Sequence, residues 1–162
     1  MKIRIITVGQ KMPKWIQTGF EDYFKRIQPM LTTQIVELAA AKRAKNPSDS
    51  NLAQYREQEG QAILASHNGA GREQLWVLDV KGKMISTEGL ADKLSEAMLK
   101  GNDVALVIGG ADGVSPEVLA KADMKWSLSA LTLPHPLVRV VLMEQLYRAM
   151  SINHNHPYHR GN

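Results

Sequence analysis

Apolar and polar residues alternate along KIRIITV, residues 2–8, and the run stops at Gly9, which is the two-residue period of a strand. Pro13 then opens a helix that extends to about Gln28, with Trp15, Ile16, Phe20, Tyr23, Phe24 and Ile27 as its expected core-facing stripe. Thr33–Leu38 reads as a second strand, and Asn51 to about Ser66 as a long, largely polar helix closed by the turn HNGAG. Gln74–Val80 is a third strand, with Lys81-Gly82-Lys83 expected as a turn. Leu90, Leu94 and Met98 recur every four residues in a helix from about Thr87 to Leu99, which Gly101 stops. Asp103–Ile108 is almost uninterruptedly apolar, as strands buried on both faces of a parallel sheet are. After the glycine turn 109–113, Ser115-Pro116 places a cap and a proline at the start of a short helix reaching about Ala122. A short strand, Lys125–Leu128, the loop SALTLPHP and a helix from Leu137 to about Ser151 complete the chain. Alternating strands and helices imply an α/β fold with a mostly parallel sheet flanked by helices.

At 162 residues the chain has room for one domain, and 44% hydrophobic with 22% charged residues is globular rather than disordered composition. No apolar run approaches the length of a bilayer span. The opening MKIRIITVGQ carries no small-residue cleavage site, so a cytoplasmic location is expected. With no cysteine there is no disulfide, thiolate metal site or thiol nucleophile. Charge is uneven: residues 1–45 carry nine Lys and Arg against three acids, and the remainder eleven against thirteen. A basic N-terminal half suits a polyanion such as nucleic acid, although a solvated face would look the same. Lys42, Arg43 and Lys45 lie in the turn-rich stretch AAAKRAKNPSDS, an expected exposed loop with the charge and reach for phosphate contacts.

Three features exceed the needs of a generic α/β domain. Glycines 109, 110 and 113 follow a buried strand, where open sheets bind ligands, yet their spacing matches neither a dinucleotide fingerprint nor a P-loop. A plain tight turn explains them equally. The loop WSLSALTLPHP is apolar enough that it is expected to be buried, against a ligand such as an adenine ring or packed on the core. The last helix is apolar on too much of its circumference for one core stripe, so its second side is expected to meet a partner subunit, with Arg139 needing an anion or a role there. The tail INHNHPYHRGN brings three of the five histidines together with Tyr158 and Arg160. It reads better as a basic, aromatic segment facing RNA than as a metal site, because no carboxylate lies nearby.

IGGADGVS, the block WSLSALTLPHPLVRVVLMEQLYRA and the ending NHPYHR resemble the ribosomal RNA large subunit methyltransferase H family. KIRIITVGQKMPKWIQTGFEDYFKRI and AAKRAKN extend the resemblance over nearly the whole chain. It implies one SPOUT (alpha/beta-knot) domain over residues 1–162, with a deep trefoil knot and dimer helix within about 103–151 and a tail at 152–162. It also implies a homodimer that transfers a methyl group from S-adenosylmethionine to N3 of a pseudouridine in large-subunit ribosomal RNA, in the assembled ribosome, without metal or membrane. The matching cofactor positions are Leu78, Gly109 and the run Leu128, Ser129, Ala130, Leu131, Thr132 and Leu133. Methyl transfer is an in-line displacement governed by alignment, and a neutral imide nitrogen must lose its proton as it attacks. Tyr158, His159 and Arg160 are therefore expected to orient and polarise the base, with His135 and Arg139 near the cofactor and Lys42, Arg43 and Lys45 on the RNA backbone.

Overall fold

A computed structural model describes residues 1–9, 11–67, 69 and 71–161. Its elements are β1 (Lys2–Val8), α1 (Lys14–Ile27), β2 (Thr32–Leu38), α2 (Asp49–Ser66), β3 (Glu73–Met84), α3 (Thr87–Leu99), β4 (Asp103–Ile108), α4 (Pro116–Lys121), β5 (Met124–Ser127), α5 (His135–Asn153) and a 3-10 turn, Pro157–Arg160. All five strands are parallel, in the order β2-β1-β4-β3-β5. β4 sits at the centre, and its side chains alternate between two cores. Val104, Leu106 and Ile108 join Ile3, Ile5 and Trp76 beneath α1, α3 and α5. Ala105 and Val107 join Ile6, Val8, Leu75 and Val77 against Ile63 of α2 and Val118 of α4. Burial on both faces is why β4 reads as an unbroken apolar run. The helix starts follow the sequence: Ser48, Ser86 and Ser115 each accept the expected backbone N–H in the first turn.

Two expectations are corrected. Trp15 is 65% exposed, whereas Ile16 is fully buried. At 100° per residue the other stripe members cluster together and Trp15 falls about 80° outside them. Lys81-Gly82-Lys83 is no turn, because β3 continues to Met84 and pairs again with β5. The β3–β5 register jumps between Leu78 and Lys83, so residues 79–82 arch out of the ladder. Gly82 makes the arch possible: a Cβ there would lie 2.6 Å from the backbone nitrogen of Trp126. α5 packs against α1 and α3 over the sheet through Leu142, Met143, Leu146 and Met150, while Leu137, Val140 and Val141 on its remaining side stay half-buried.

Candidate active site

A cavity of about 310 Å³ opens at the carboxyl ends of β3, β4 and β5, where an open parallel sheet leaves room for a ligand. Leu78, Asp79 and Val80 form one wall, and Gly109, Gly110, Ala111 and Gly113 another. Trp126 and Ser127 of β5, the loop residues Leu128, Ser129, Leu131, Thr132 and Leu133, and His135 and Val138 of α5 complete it. Of the positions expected to hold a cofactor, only Ala130 is absent from the lining. The apolar loop is not buried as expected. Leu131 is 75% exposed at the rim, so the loop borders the cavity rather than plugging the core. It is braced by Ser127 donating to the Ser129 carbonyl and by the Leu131 N–H donating to the Ser129 hydroxyl. The backbone groups of Thr132 and Leu133 make no hydrogen bond with other described residues, which leaves them for a ligand. The glycine turn has an internal reason as well: a Cβ at Gly109 would lie 2.7 Å from Val114 and one at Gly110 2.7 Å from Glu59.

The electrostatics of the cavity are simple. No Lys or Arg lines it, and its two titratable residues are Asp79 and His135. Burial, and then the positive charge of Arg139, push the His135 imidazole below its ordinary value, so it is neutral near pH 7. Its Nε2 is buried with no hydrogen-bond partner among the described residues. A cavity without cations does not suit a phosphate-bearing nucleotide. One apolar wall, free backbone groups and a carboxylate suit a nucleoside with a cationic tail.

Arg139 does not line the cavity. It is 3% exposed, donates to the Gly9 carbonyl at 2.5 Å and pairs with Glu37 at 3.3 Å, so the anion its burial demands comes from β2. Arg43 likewise departs from the expected phosphate contact. It bridges buried Glu59 at 3.0 Å and Asp112 at 2.8 Å, donates to the Ala41 carbonyl and lies over the Tyr55 ring. Ala41 is buried and donates its N–H to Glu59 at 2.8 Å. The basic loop is thereby fastened to the glycine turn of the cavity, and Lys42 and Lys45 remain exposed beside it.

Tyr158, His159 and Arg160 form the 3-10 turn packed on the far half of α5. The Tyr158 hydroxyl meets the Glu144 carboxylate at 3.1 Å and the Tyr23 hydroxyl at 3.4 Å, its ring lies 4.5 Å from that of Tyr147, and Arg148 covers its other side at 4.8 Å. Burial, the bond with Tyr23 and the charge of Glu144 push its phenol well above the ordinary value, so it stays protonated. His159 Nδ1 lies 2.6 Å from the His156 carbonyl, and Arg160 is exposed. His135 and Tyr147 are twelve residues apart on one helix, or about 18 Å. Within one chain the tail therefore stands well away from the cavity. The expected catalytic set is split, with His135 at one end of α5 and the tail at the other.

A family model described as "Predicted SPOUT methyltransferase" matches residues 1–159. The chain belongs to the SPOUT methyltransferase family. It is 86% identical over 162 residues, the full length of both chains, to the "Ribosomal RNA large subunit methyltransferase H" of Psychrobacter cryohalolentis. It is 60% identical to the protein of that name in Acinetobacter baumannii, over 99% of this chain and 100% of the relative. A solved probable methylase family protein from Haemophilus influenzae shares the fold, with a TM-score of 0.55 at 14% identity over 96% of this chain and 69% of the other. Asp79 joins the site without any signal in its own stretch of sequence, because nothing local distinguishes an acid after Leu78 from any strand-end carboxylate. The jump in β3–β5 pairing is what brings Asp79 there.

Proposed function

We propose that the protein transfers a methyl group from S-adenosylmethionine to N3 of a pseudouridine in large-subunit ribosomal RNA, acting as a homodimer in the cytoplasm. The carrying observation is the cation-free, glycine- and loop-lined cavity at the strand ends, in a chain alike over its full length to proteins named for that reaction. When bound, S-adenosylmethionine supplies an electrophilic methyl group on a sulfonium. The residues of this chain do the rest. Leu128, Ser129, Leu131, Thr132 and Leu133 would hold the nucleoside, with the backbone of Thr132 and Leu133 open to it and Gly109 leaving room at the end of β4. His135, neutral, faces it without adding positive charge.

Separation of tail and cavity along α5 favours a site completed by two chains, with His159 and Arg160 of one reaching the cavity of the other. Arg160 would then stabilise negative charge on the pyrimidine as its N3 proton passes to solvent water. Lys42 and Lys45 take up backbone phosphate, and the trefoil knot belongs to the same reading. Mass spectrometry of large-subunit ribosomal RNA from cells with and without the gene tests it: a methylated pseudouridine must vanish with the gene and return with the wild-type copy. An unchanged modification pattern refutes it. Mixing a His159→Ala/Arg160→Ala chain with a chain disabled in its cavity should restore activity if the site is shared, and restore nothing if each chain is self-sufficient.

A further inference from the structure

Asp79 is the one carboxylate in the cavity wall, and it is half-buried. Unlike Glu59 and Asp112, which share Arg43, it makes no hydrogen bond or ion pair with another described residue. Lys81 and Lys83 flank it in sequence but are exposed, and neither lines the cavity. Its position is built rather than incidental. β3 and β5 stop pairing after Leu78 and resume at Lys83, and Gly82 presses the returning chain against the β5 backbone. The arch this creates carries Asp79 and Val80 into the cavity wall. A half-buried carboxylate without a counter-charge, set in an otherwise largely apolar cavity wall, attracts a positively charged ligand.

We propose that Asp79 selects the charge state of the ligand: it favours the sulfonium donor over the neutral thioether left once the methyl group has gone. The inference rests on the cavity being the S-adenosylmethionine site. Donor and product share the adenosine, the amino group and the carboxylate, and differ by one methyl group and one positive charge. The loop and glycine walls present apolar groups and backbone dipoles, none of which carries a full negative charge. Asp79 does. Loss of the charge on methyl transfer weakens the hold on the product, so the same residue that recruits the donor assists release.

Isothermal titration calorimetry of the full-length protein tests this without turnover. The probes are S-adenosylmethionine, S-adenosylhomocysteine and sinefungin, in which an amine-bearing carbon replaces the sulfonium. Wild type should bind both cationic ligands more tightly than the thioether. Asp79→Asn should weaken the two cationic ligands by about tenfold and leave the thioether within about twofold. Asp79→Glu should retain much of the preference. Because Asp79 has no partner among the described residues, the urea midpoint of Asp79→Asn should match wild type, which keeps folding apart from recognition. Equal loss for all three ligands, or no loss for any, overturns the proposal while leaving the cavity's assignment intact. Failure of wild type to bind any of the three overturns both.

Discussion

Replacing Arg43 separates two roles that a basic loop residue can play. Arg43→Met keeps an unbranched apolar stem but removes the guanidinium that bridges Glu59 and Asp112, donates to the Ala41 carbonyl and lies over the Tyr55 ring. Glu59 is 3% exposed, so it is left as a buried charge whose one remaining neighbour among the described residues is the Ala41 N–H. Removing one partner of a buried ion pair costs about 3–5 kcal/mol. The Arg43 side chain is 24% exposed, which admits water and lowers the expected loss to about 2–3 kcal/mol. For a chain of this length that is a fall of roughly 5–10 °C in Tm. Urea unfolding should find Arg43→Met/Glu59→Gln less destabilised than the two single changes sum to, by about 1–3 kcal/mol. Lys42→Ala and Lys45→Ala should stay within about 0.5 kcal/mol of wild type and instead flatten the salt dependence of RNA binding, by roughly 0.7 in slope for each phosphate no longer neutralised. If Arg43→Met were as stable as wild type and bound RNA as weakly as the lysine variants do, Arg43 would be a phosphate ligand and not a strut.

Other expectations follow from single environments. The folded His135 imidazole sits below its unfolded value, so its contribution to stability is complete above about pH 6.5 and is lost as pH falls through the lower, folded value. Thermal melts from pH 7.5 to 5 should therefore decline less steeply for His135→Gln, and an imidazole NMR titration at or above the free value would contradict this. Gly82→Ala forces a Cβ against the Trp126 backbone and should cost about 1–3 kcal/mol while weakening S-adenosylmethionine binding; equal stability would mean the arch is not clamped there. Tyr158→Phe gives up the Glu144 and Tyr23 hydrogen bonds for about 1 kcal/mol but keeps the ring on Tyr147, so the tail should resist limited proteolysis as wild type does. Loss of methylation with the tail still docked would show instead that the phenol touches substrate.

Some parts of this molecule are plain in its sequence and others are hidden for physical reasons. β4 is legible because burial on both faces leaves an apolar run, and α4 because Ser115 and Pro116 mark a helix start chemically. Seven of the eight expected cofactor positions line the cavity, since the resemblance locates the loop and the turn that border it. The continuation of β3 is illegible: Lys81, Gly82 and Lys83 have turn-like composition, and the partner that keeps them extended lies more than forty residues downstream. The role of Arg43 is hidden for the same reason, because Asp112 is 69 residues away and a solvated cation looks no different in sequence from a paired one. The apolar excess of α5 is visible along the chain, but which part of it α1 and α3 cover is not, since they reach it only once the sheet has formed.

Because the cavity and the tail sit at opposite ends of α5, that helix behaves as a ruler. One inserted residue would swing the tail by about 100° relative to His135, and seven would restore its bearing while lengthening the span by about 10 Å. Length changes in α5 should therefore be tolerated by the core at two turns and by the reaction at none.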